Sequence, residues 1–484
     1  MIKIKKGYLE GLIQKYLLDN KHSSLVVLKP VHGLEEKKEA ELKAKLAQIK
    51  SSLSKEDIHK LMQETKELNT WQETPNSQVA LKTLPSLTRE DINSKAKEYT
   101  TIEKEENGIK ILYHSIFTNG VDYIRLYFDT TKVPQEKLGY LYLLEGILGN
   151  LDTKNYTKED LAEEILNNSG GISIGNSTFV KSGDNNIYYP KMVVKILALK
   201  EKIPKSFQLL KEIIYDSKLN DKARVKETIG NMKIMKEAQL MSSADAMAMQ
   251  KVLSYMSESG KYNDYMNEEF YKFLCDLDKN FNSKGDEIIK NLEEVRNLVF
   301  NKQDMIASYT GEEKDYSNFS ENFKNFSNNL RNVKLKSKKY TFDSSDINEG
   351  IMTSSKVQYV VKGGDLKKVG YETNGKLQVL ANILQGGYLW NNIRIKGGAY
   401  GANVSIDNSN VIFSSYRDPN LKETLDTIDE IPEYLKNFNA SEEEMTDYVI
   451  GTIGKLDNAN DMLAKFMGPA ADGVIADGLY ISNT

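Results

Sequence analysis

The chain has 484 residues, which is more than one compact core usually accommodates, so two or three domains are expected. Its 40% hydrophobic and 28% charged residues are typical of a soluble globular protein, and a net charge of -4 gives no electrostatic argument for binding nucleic acid or an anionic membrane. No apolar run approaches the roughly 20 residues of a membrane-spanning helix, the N-terminus lacks the apolar core of a signal peptide, and the single Cys275 excludes an internal disulfide, which together predict a cytoplasmic protein.

The beginning of the chain predicts one strand and two helices. An apolar run over residues 23–30 is typical of a strand. A helix follows, because apolar residues recur every three or four positions over residues 42–53. Ser54, with Asp57 three residues later, predicts the N-cap of a second helix. Because the connection is so short, we expect the two helices to pack as an antiparallel hairpin.

From about residue 99 the pattern becomes that of an α+β domain. Two β-type runs surround Asn119-Gly120, which is a strong signal for a β-hairpin. An apolar helix is predicted over residues 138–148. Thr157 predicts the N-cap of another helix, which ends near the glycine pair at 170–171.

The last part of the chain repeats some of this pattern. It predicts a strand over residues 357–361 and an apolar helix over 376–384. The apolar frame of residues 380–384 matches that of 144–148, and a Gly-Gly pair follows each. We interpret this as a weak internal repeat of one α+β domain. The alternative is coincidence, because apolar helices and glycine pairs are common.

The chain lacks the side chains that a zinc site usually requires. None of its four histidines lies in an HExxH or HxxEH motif, and no two are spaced to share one face of a helix. A single cysteine cannot build a thiolate site. We therefore predict no metal site in this chain. The histidines are His22, His32, His59 and His114.

The most informative segment is YLWNNIRIKGGAYG, residues 388–401. It places the guanidinium of Arg394 and the phenol of Tyr400 six residues apart, with a glycine pair between them. A charged fork of donors and a neutral hydroxyl can together bind a carbonyl oxygen. The other interpretation is a surface ion pair for Arg394 and a half-buried ring for Tyr400.

Three segments closely resemble the insulinase (pitrilysin) family of zinc metallopeptidases, in its presequence-protease branch. They are GYLW at 387–390, RIKGGAYG at 394–401 and SYRDPNL at 415–421. The resemblance covers nearly the whole chain. It implies an α+β fold, in which two repeated insulinase-type domains, each an antiparallel or mixed sheet packed with helices, follow a helical hairpin linker.

The resemblance also implies domain boundaries. Residues 1–33 would be the tail of a preceding domain, and residues 34–95 the helical hairpin linker. Residues 96–333 would be the family's third domain, without a zinc motif. Residues 334–484 would be the fourth domain, which carries the Arg394 and Tyr400 segment and is expected to be truncated at its C-terminus.

In the same way, the resemblance implies roles for the site residues. Tyr400 would donate a hydrogen bond to the oxyanion of the tetrahedral intermediate, and Arg394 would bind a substrate carbonyl or help to fix the intermediate. Gly397 and Gly398 would allow the backbone to turn close to the peptide. Two further substrate-binding candidates lie on a neighbouring strand, where they either orient the site or support a turn: Tyr416 and Arg417.

The family's zinc is expected outside this chain. In the family's first domain the helix that corresponds to residues 142–146 carries HxxEH. Here Glu145 remains, but Tyr142 and Gly146 fill the two ligand positions and cannot replace imidazole. An N-terminal half of the same protein is therefore the expected zinc-bearing partner, unfolded peptides are the expected substrates, and this chain is expected to be inactive alone.

Two other functions remain open from the sequence. The chain would be either a natural non-catalytic subunit that pairs with a zinc-bearing partner, or an interaction module without a link to peptidases. Residues 1–33 show no obvious beginning of a domain, and residues 481–484 precede the closing helix that the family implies. Both edges favour a piece of a longer protein over a natural subunit.

Overall fold

The computed structural model describes residues 7–74, 76–81, 83–85, 87–93, 95, 97–342, 348–352 and 357–483, with their side chains except at 72–73, 78, 81, 458–467 and 469. The chain forms two compact units, Met1–Ser86 and Leu87–Thr484. Within the described ranges, no helix is long and apolar enough to cross a membrane.

The first unit is helical. Its helices are α1 (Tyr8–Ile13, continued by a π-helical turn over Gln14–Leu18), α2 (Leu34–Ser52), α3 (Lys55–Glu73) and α4 (Gln78–Leu81). The two predicted helices are present, and Ser54 caps α3 because its Oγ accepts the N–H of Asp57 at 3.1 Å. The predicted packing between them is not observed, since Leu42 and Leu46 remain 56% and 55% exposed. A stripe of one apolar residue per turn offers little area to bury.

The strand predicted over residues 23–30 is wrong. This segment has no regular secondary structure, and Leu25 and Leu28 are 90% and 91% exposed. A strand needs a neighbour that takes its backbone hydrogen bonds. No described residue pairs with this segment, so its apolar content alone does not make it a strand.

The second unit begins with a mixed sheet, which has six strands within the described residues. The strands are β1 (Ile102–Glu106), β2 (Ile109–Ser115), β3 (Val121–Asp129), β4 (Gly171–Lys181), β5 (Asp184–Leu199) and β6 (Ile306–Gly311). Their order is β1-β2-β6-β3-β5-β4. Only the β2–β6 pair among them is parallel.

The hairpin predicted at Asn119-Gly120 is wrong. Both residues have the positive φ of a tight turn, 54° and 77°, yet β2 and β3 do not pair, because β6 lies between them. The hairpin that does form joins β1 to β2 through Asn107-Gly108, whose φ values are 56° and 72°. A local turn signal reverses the chain, but a distant strand can still insert between the two arms.

Helices connect and follow the strands of this sheet. They are α5 (Leu138–Ile147), α6 (Lys158–Asn168), α7 (Ile203–Tyr215), α8 (Lys222–Ser242), α9 (Ala244–Ser254), α10 (Glu258–Asp264), α11 (Glu268–Val299) and α12 (Tyr316–Ser327). The prediction of α5 is confirmed, and so is the Thr157 cap of α6, whose Oγ1 accepts the N–H of Asp160 at 3.1 Å. A continuous apolar core includes Leu126 of β3, Leu141 of α5 and Leu292 of α11, all fully buried.

A second, smaller antiparallel sheet follows in the same unit. Its strands are β7 (Val361–Asp365), β8 (Gly401–Asp407) and β9 (Asn410–Tyr416), in the order β7-β9-β8. Its helices are α13 (Gly375–Ile383), a π-helix (Leu384–Lys396), α14 (Lys422–Asp429), α15 (Ile431–Asn437), α16 (Glu442–Met467) and α17 (Ala471–Asn483). The helix predicted at 376–384 is confirmed as α13. The strand predicted at 357–361 starts only at Val361, preceded by an isolated bridge between Gln358 and Asp418.

Both halves of this unit place an antiparallel strand pair after an apolar helix and a glycine pair. In the first half α5 precedes β4 and β5, and in the second α13 precedes β8 and β9. Because Leu87–Thr484 is one compact unit, a domain boundary at 333/334 remains a prediction. The site described next lies where the π-helix meets β8.

Candidate functional site

The π-helix places Arg394 in its last turn, next to a sharp change of backbone direction. The N–H of Gly397 donates to the carbonyl of Asn392 at 3.0 Å, and Gly398 has φ 80°, which favours glycine. A Cβ at Gly397 would lie 2.7 Å from the carbonyl oxygen of Ile393, which is closer than real Cβ contacts allow. Glycine at these two positions thus lets the chain turn directly from Arg394 to Tyr400.

Arg394 keeps part of its hydrogen-bonding capacity unused. Its Nη1 donates to the carbonyl of Ala399 at 3.0 Å, and its guanidinium carbon lies 5.4 Å from the ring centres of both Trp390 and Tyr400. Its Nε is buried without a hydrogen-bond partner, and no carboxylate of the described residues lies within 4 Å of it. The surface ion pair that the sequence left open is therefore absent from the described part of the chain.

Tyr400 presents its side chain to solvent. Its backbone N–H donates to the carbonyl of Tyr416 at 2.9 Å, which fixes the start of β8 against the end of β9. The side chain is 67% exposed, and its hydroxyl has no hydrogen-bond partner among the described residues. A phenol held by its backbone and open at its hydroxyl is available to an incoming acceptor.

The turn after β9 stabilises the site through a hydrogen bond to Gly397. Asp418 is buried, and its carboxylate accepts the N–H of Asn420 at 2.9 Å and the Oγ1–H of Thr424 at 2.7 Å. Asn420 in turn donates from Nδ2 to the carbonyl of Gly397 at 2.6 Å. Asp418 therefore stabilises the turn, and it forms no ion pair with its neighbour Arg417.

Arg417 lies on the outer side of this turn, next to two phenols. It is exposed, has φ 49°, and its guanidinium carbon lies 5.6 Å from the ring centre of Tyr416. The phenol of Tyr416 and, to a smaller extent, that of Tyr359 raise the pKa of Arg417. The rings of Tyr416 and Tyr359 are 5.2 Å apart, and those of Tyr416 and Tyr400 are 6.0 Å apart.

The structure brings the predicted site residues together on one surface. The N–H of Gly398, which follows Gly397, donates to the carbonyl of Arg394, and the guanidinium of Arg394 lies against the ring of Tyr400. The rings of Tyr400 and Tyr416 are neighbours, and the guanidinium of Arg417 lies near Tyr416. Sequence reasoning missed Trp390, although its spacing of four residues from Arg394 on a helix could have indicated a contact. It also missed Tyr359, for which no local signal exists.

The segment that the resemblance predicts to correspond to the family's zinc motif lies in the packed helix α5. Tyr142 is buried, and its ring lies 5.8 Å from Phe270 and 6.2 Å from Tyr265. Oε2 of Glu145 accepts the backbone N–H of Asn176 at 3.0 Å and its Nδ2–H at 2.7 Å, and burial raises the pKa of Glu145. No described residues form a group of three or more His, Cys, Asp or Glu that could hold a metal. These residues do not fit zinc.

The sequence matches two descriptions of known families. Residues 28–277 match the family described as Peptidase M16 (subfamily C) associated, and residues 348–467 match the PreP C-terminal domain. Protein HypA of Clostridium perfringens is 39% identical over 99% of this chain and 49% of its own length. Presequence protease 1 of Arabidopsis thaliana is 29% identical over 94% of this chain and 42% of its own length. The chain thus spans about half the length of these curated relatives.

Solved structures with a similar fold are more distant in sequence. A conserved protein from Enterococcus faecalis is 16% identical, with a TM-score of 0.57 over 78% of this chain and 88% of that one. A protease from Helicobacter pylori is 14% identical, with a TM-score of 0.51 over 79% of this chain and 90% of that one. They show the fold alone, and the predicted α+β class is confirmed.

Proposed function

Because the chain belongs to the insulinase family of peptidases, as its resemblance predicted, we propose that it is the C-terminal, non-zinc half of a peptide-degrading metalloendopeptidase. The matched presequence proteases point to peptides as the substrate class. The zinc would be held by an N-terminal half, since the described residues of this chain form no group that could hold it. The single observation that carries the proposal is that the guanidinium of Arg394, which has no carboxylate partner among the described residues, lies beside the exposed phenol of Tyr400.

The pair suits a carbonyl that gains negative charge during attack. The hydroxyl of Tyr400 would donate to that oxygen, and the free N–H groups of Arg394 would donate to it or to a neighbouring carbonyl of the peptide. Neither donor has to break an ion pair first, so the site is organised before the peptide arrives. Donors whose interaction strengthens as charge develops lower the barrier rather than merely tightening binding.

The neighbouring side chains hold the two donors in place. The guanidinium of Arg394 lies close to the rings of both Trp390 and Tyr400, and a planar guanidinium interacts favourably with aromatic rings. The hydrogen bond from Tyr400 to the carbonyl of Tyr416 fixes the backbone beneath the phenol. These contacts support a role in orientation that lysine at position 394 would not reproduce.

Peptide hydrolysis tests this proposal. A quenched fluorogenic peptide would be incubated with this chain alone, and with the chain mixed with an N-terminal half that carries HxxEH, with zinc present in both. We expect activity only in the mixture. Tyr400→Phe, which removes one donor, should lower turnover about 10²–10³-fold. Arg394→Ala should lower it as well.

A matched control separates the loss of the Tyr400 hydroxyl at the site from the effect of replacing any exposed tyrosine by phenylalanine. Tyr371 is 66% exposed, close to the value for Tyr400, and Tyr371→Phe should leave turnover unchanged. Chelator-sensitive activity from the chain alone would show a metal site of its own and contradict the proposal. A folded mixture without activity, or one equally active with Tyr400→Phe, would favour a non-catalytic subunit.

A further inference from the structure

Arg417 occupies a backbone conformation that a bulky side chain normally avoids. Five non-glycine residues of the described chain have positive φ, and the other four are asparagine or aspartate. Those two types tolerate the left-handed region because their short polar side chains bond locally. Arginine has no such compensation, so its presence at φ 49° points to a use for the side chain itself.

The guanidinium of Arg417 interacts with the phenols of Tyr416 and Tyr359 rather than with a carboxylate. No carboxylate of the described residues pairs with it, since the adjacent Asp418 is buried and bonded to Asn420 and Thr424. Arg417 is exposed, and the nearby phenols of Tyr416 and Tyr359 raise its pKa, so it remains a cation throughout the physiological range. A structural arginine would be expected to bond to a carboxylate or a carbonyl.

Arg417 also lies on the same surface as the proposed carbonyl-binding pair. From Arg394 the contacts run to Tyr400 at 5.4 Å, from there to Tyr416 at 6.0 Å, and from Tyr416 to Arg417 at 5.6 Å, measured between ring centres and guanidinium carbons. Two guanidinium groups without carboxylate partners therefore flank two aromatic rings. A peptide bound at one end reaches the other within a few residues.

We propose that Arg417 binds a carboxylate of the peptide whose backbone is bound by Arg394 and Tyr400. This inference rests on the proposed function and narrows its substrates to peptides with a carboxylate close to the bound segment. The guanidinium fork matches a carboxylate with two parallel hydrogen bonds, which fixes direction as well as position. The carboxylate is either the C-terminus of the peptide or a glutamate or aspartate side chain.

Direct binding to the 484-residue chain tests the inference without any need for activity. Fluorescence anisotropy would compare an unstructured, labelled peptide that has a free C-terminus and one glutamate with its C-terminal amide and with its Glu→Gln form. We expect about tenfold weaker binding of whichever form lacks the recognised carboxylate. The peptide form that binds more weakly identifies which carboxylate is recognised, the C-terminus or the glutamate side chain. Equal binding of all three would overturn the inference.

The substitutions are chosen so that the chain folds. Arg417→Asn suits the left-handed backbone and removes the charge. It should weaken binding of the unmodified peptide about tenfold and leave unchanged the binding of the form that lacks the recognised carboxylate. Arg417→Lys should bind the unmodified peptide with an affinity between those of the unsubstituted protein and Arg417→Asn. Arg224→Gln removes a partly exposed arginine that is already paired with Glu227, and it should leave the binding of all three peptides unchanged. Unchanged acidic binding in Arg417→Asn would overturn the inference.

One further variant separates the inference from the function on which it rests. Arg394→Ala should weaken all three peptides equally, because backbone carbonyls are common to them. If Arg394→Ala has no effect while Arg417→Asn acts on the acidic peptide alone, the carbonyl role fails and the carboxylate site stands. If Arg394→Ala weakens peptide binding and Arg417→Asn does not, the carbonyl role stands and the carboxylate site fails. If none of the three peptides binds, the inference is overturned.

Discussion

At the scale of single residues, Gly397 is the position where the site has no room for a side chain. An added Cβ would lie 2.7 Å from the carbonyl oxygen of Ile393 and 3.1 Å from that of Asn392, and both are backbone atoms that cannot rotate away. We expect Gly397→Ala to lower the free energy of unfolding by about 1–3 kcal/mol. The same shift would misplace Arg394 and weaken peptide binding. Urea unfolding and anisotropy measure the two effects.

Gly401 is the matched control for this prediction. A Cβ there would lie 3.6 Å from Cβ of Tyr416, an ordinary contact distance, and the residue does not have positive φ. Gly401→Ala should therefore change the free energy of unfolding by less than about 1 kcal/mol. If both alanine variants have the same stability and bind peptide alike, the crowding at Gly397 does not constrain the site.

The same scale shows how far the sequence predicts the site. Arg394, Gly397, Gly398 and Tyr400 lie within seven consecutive residues, so their proximity follows from local geometry alone. The contact of Tyr359 does not, because Tyr359 meets Tyr416 where two segments distant in sequence pair through their backbones. The left-handed conformation of Arg417 was equally unpredictable, since arginine carries no turn signal.

At the scale of elements, α17 packs on the six-stranded sheet and contributes a buried aspartate to that contact. Asp477 accepts the hydroxyl of Tyr127 at 2.7 Å, lies 2.8 Å from Nε2 of His114, and lies 3.8 Å from Nη1 of Arg125. All four side chains are buried. Removing one partner of a buried charged cluster leaves the others without compensation.

Asp477→Asn should therefore loosen α17. We expect the free energy of unfolding to fall by about 3 kcal/mol, and amide exchange in α17 to become faster than in α11. Asp472 provides the comparison on the same helix, because it pairs with Lys97 at 2.6 Å near the surface. Asp472→Asn should cost less than about 1 kcal/mol. Similar losses in the two variants would contradict the anchoring role of Asp477.

Elements with local signals were predictable, and elements defined by distant partners were not. The helices α3, α6 and α13 carry a capping side chain in their own sequence, and α5 is marked by its apolar run. By contrast, the position of β6 between β2 and β3 depends on a chain segment far away. An apolar run such as residues 23–30 becomes a strand only where another strand accepts it.

At the scale of the whole second unit, the two sheets meet at the tips of two hairpins. Oδ1 of Asn408, in the turn between β8 and β9, accepts the N–H of Gly183, in the turn between β4 and β5, at 2.6 Å. Its Nδ2 donates to the carbonyl of Lys181 at 3.2 Å and contacts Oδ1 of Asn185. The turns therefore bond directly, and Asn185 adds a bond to Ser409 at 3.0 Å.

Asn408→Gly tests whether this joint couples the sheets. Glycine keeps the left-handed backbone, φ 54° at Asn408, so the variant removes the side-chain bonds without straining the turn. We expect a loss of about 1–3 kcal/mol in the free energy of unfolding, and faster amide exchange at the tips of both hairpins. Asn119→Gly is the control, because Asn119 has the same φ and is exposed. If the two variants change the free energy of unfolding and the amide exchange equally, the hairpin tips are in contact but do not couple the sheets. The position of Arg394 and Tyr400 would then depend on the smaller sheet alone.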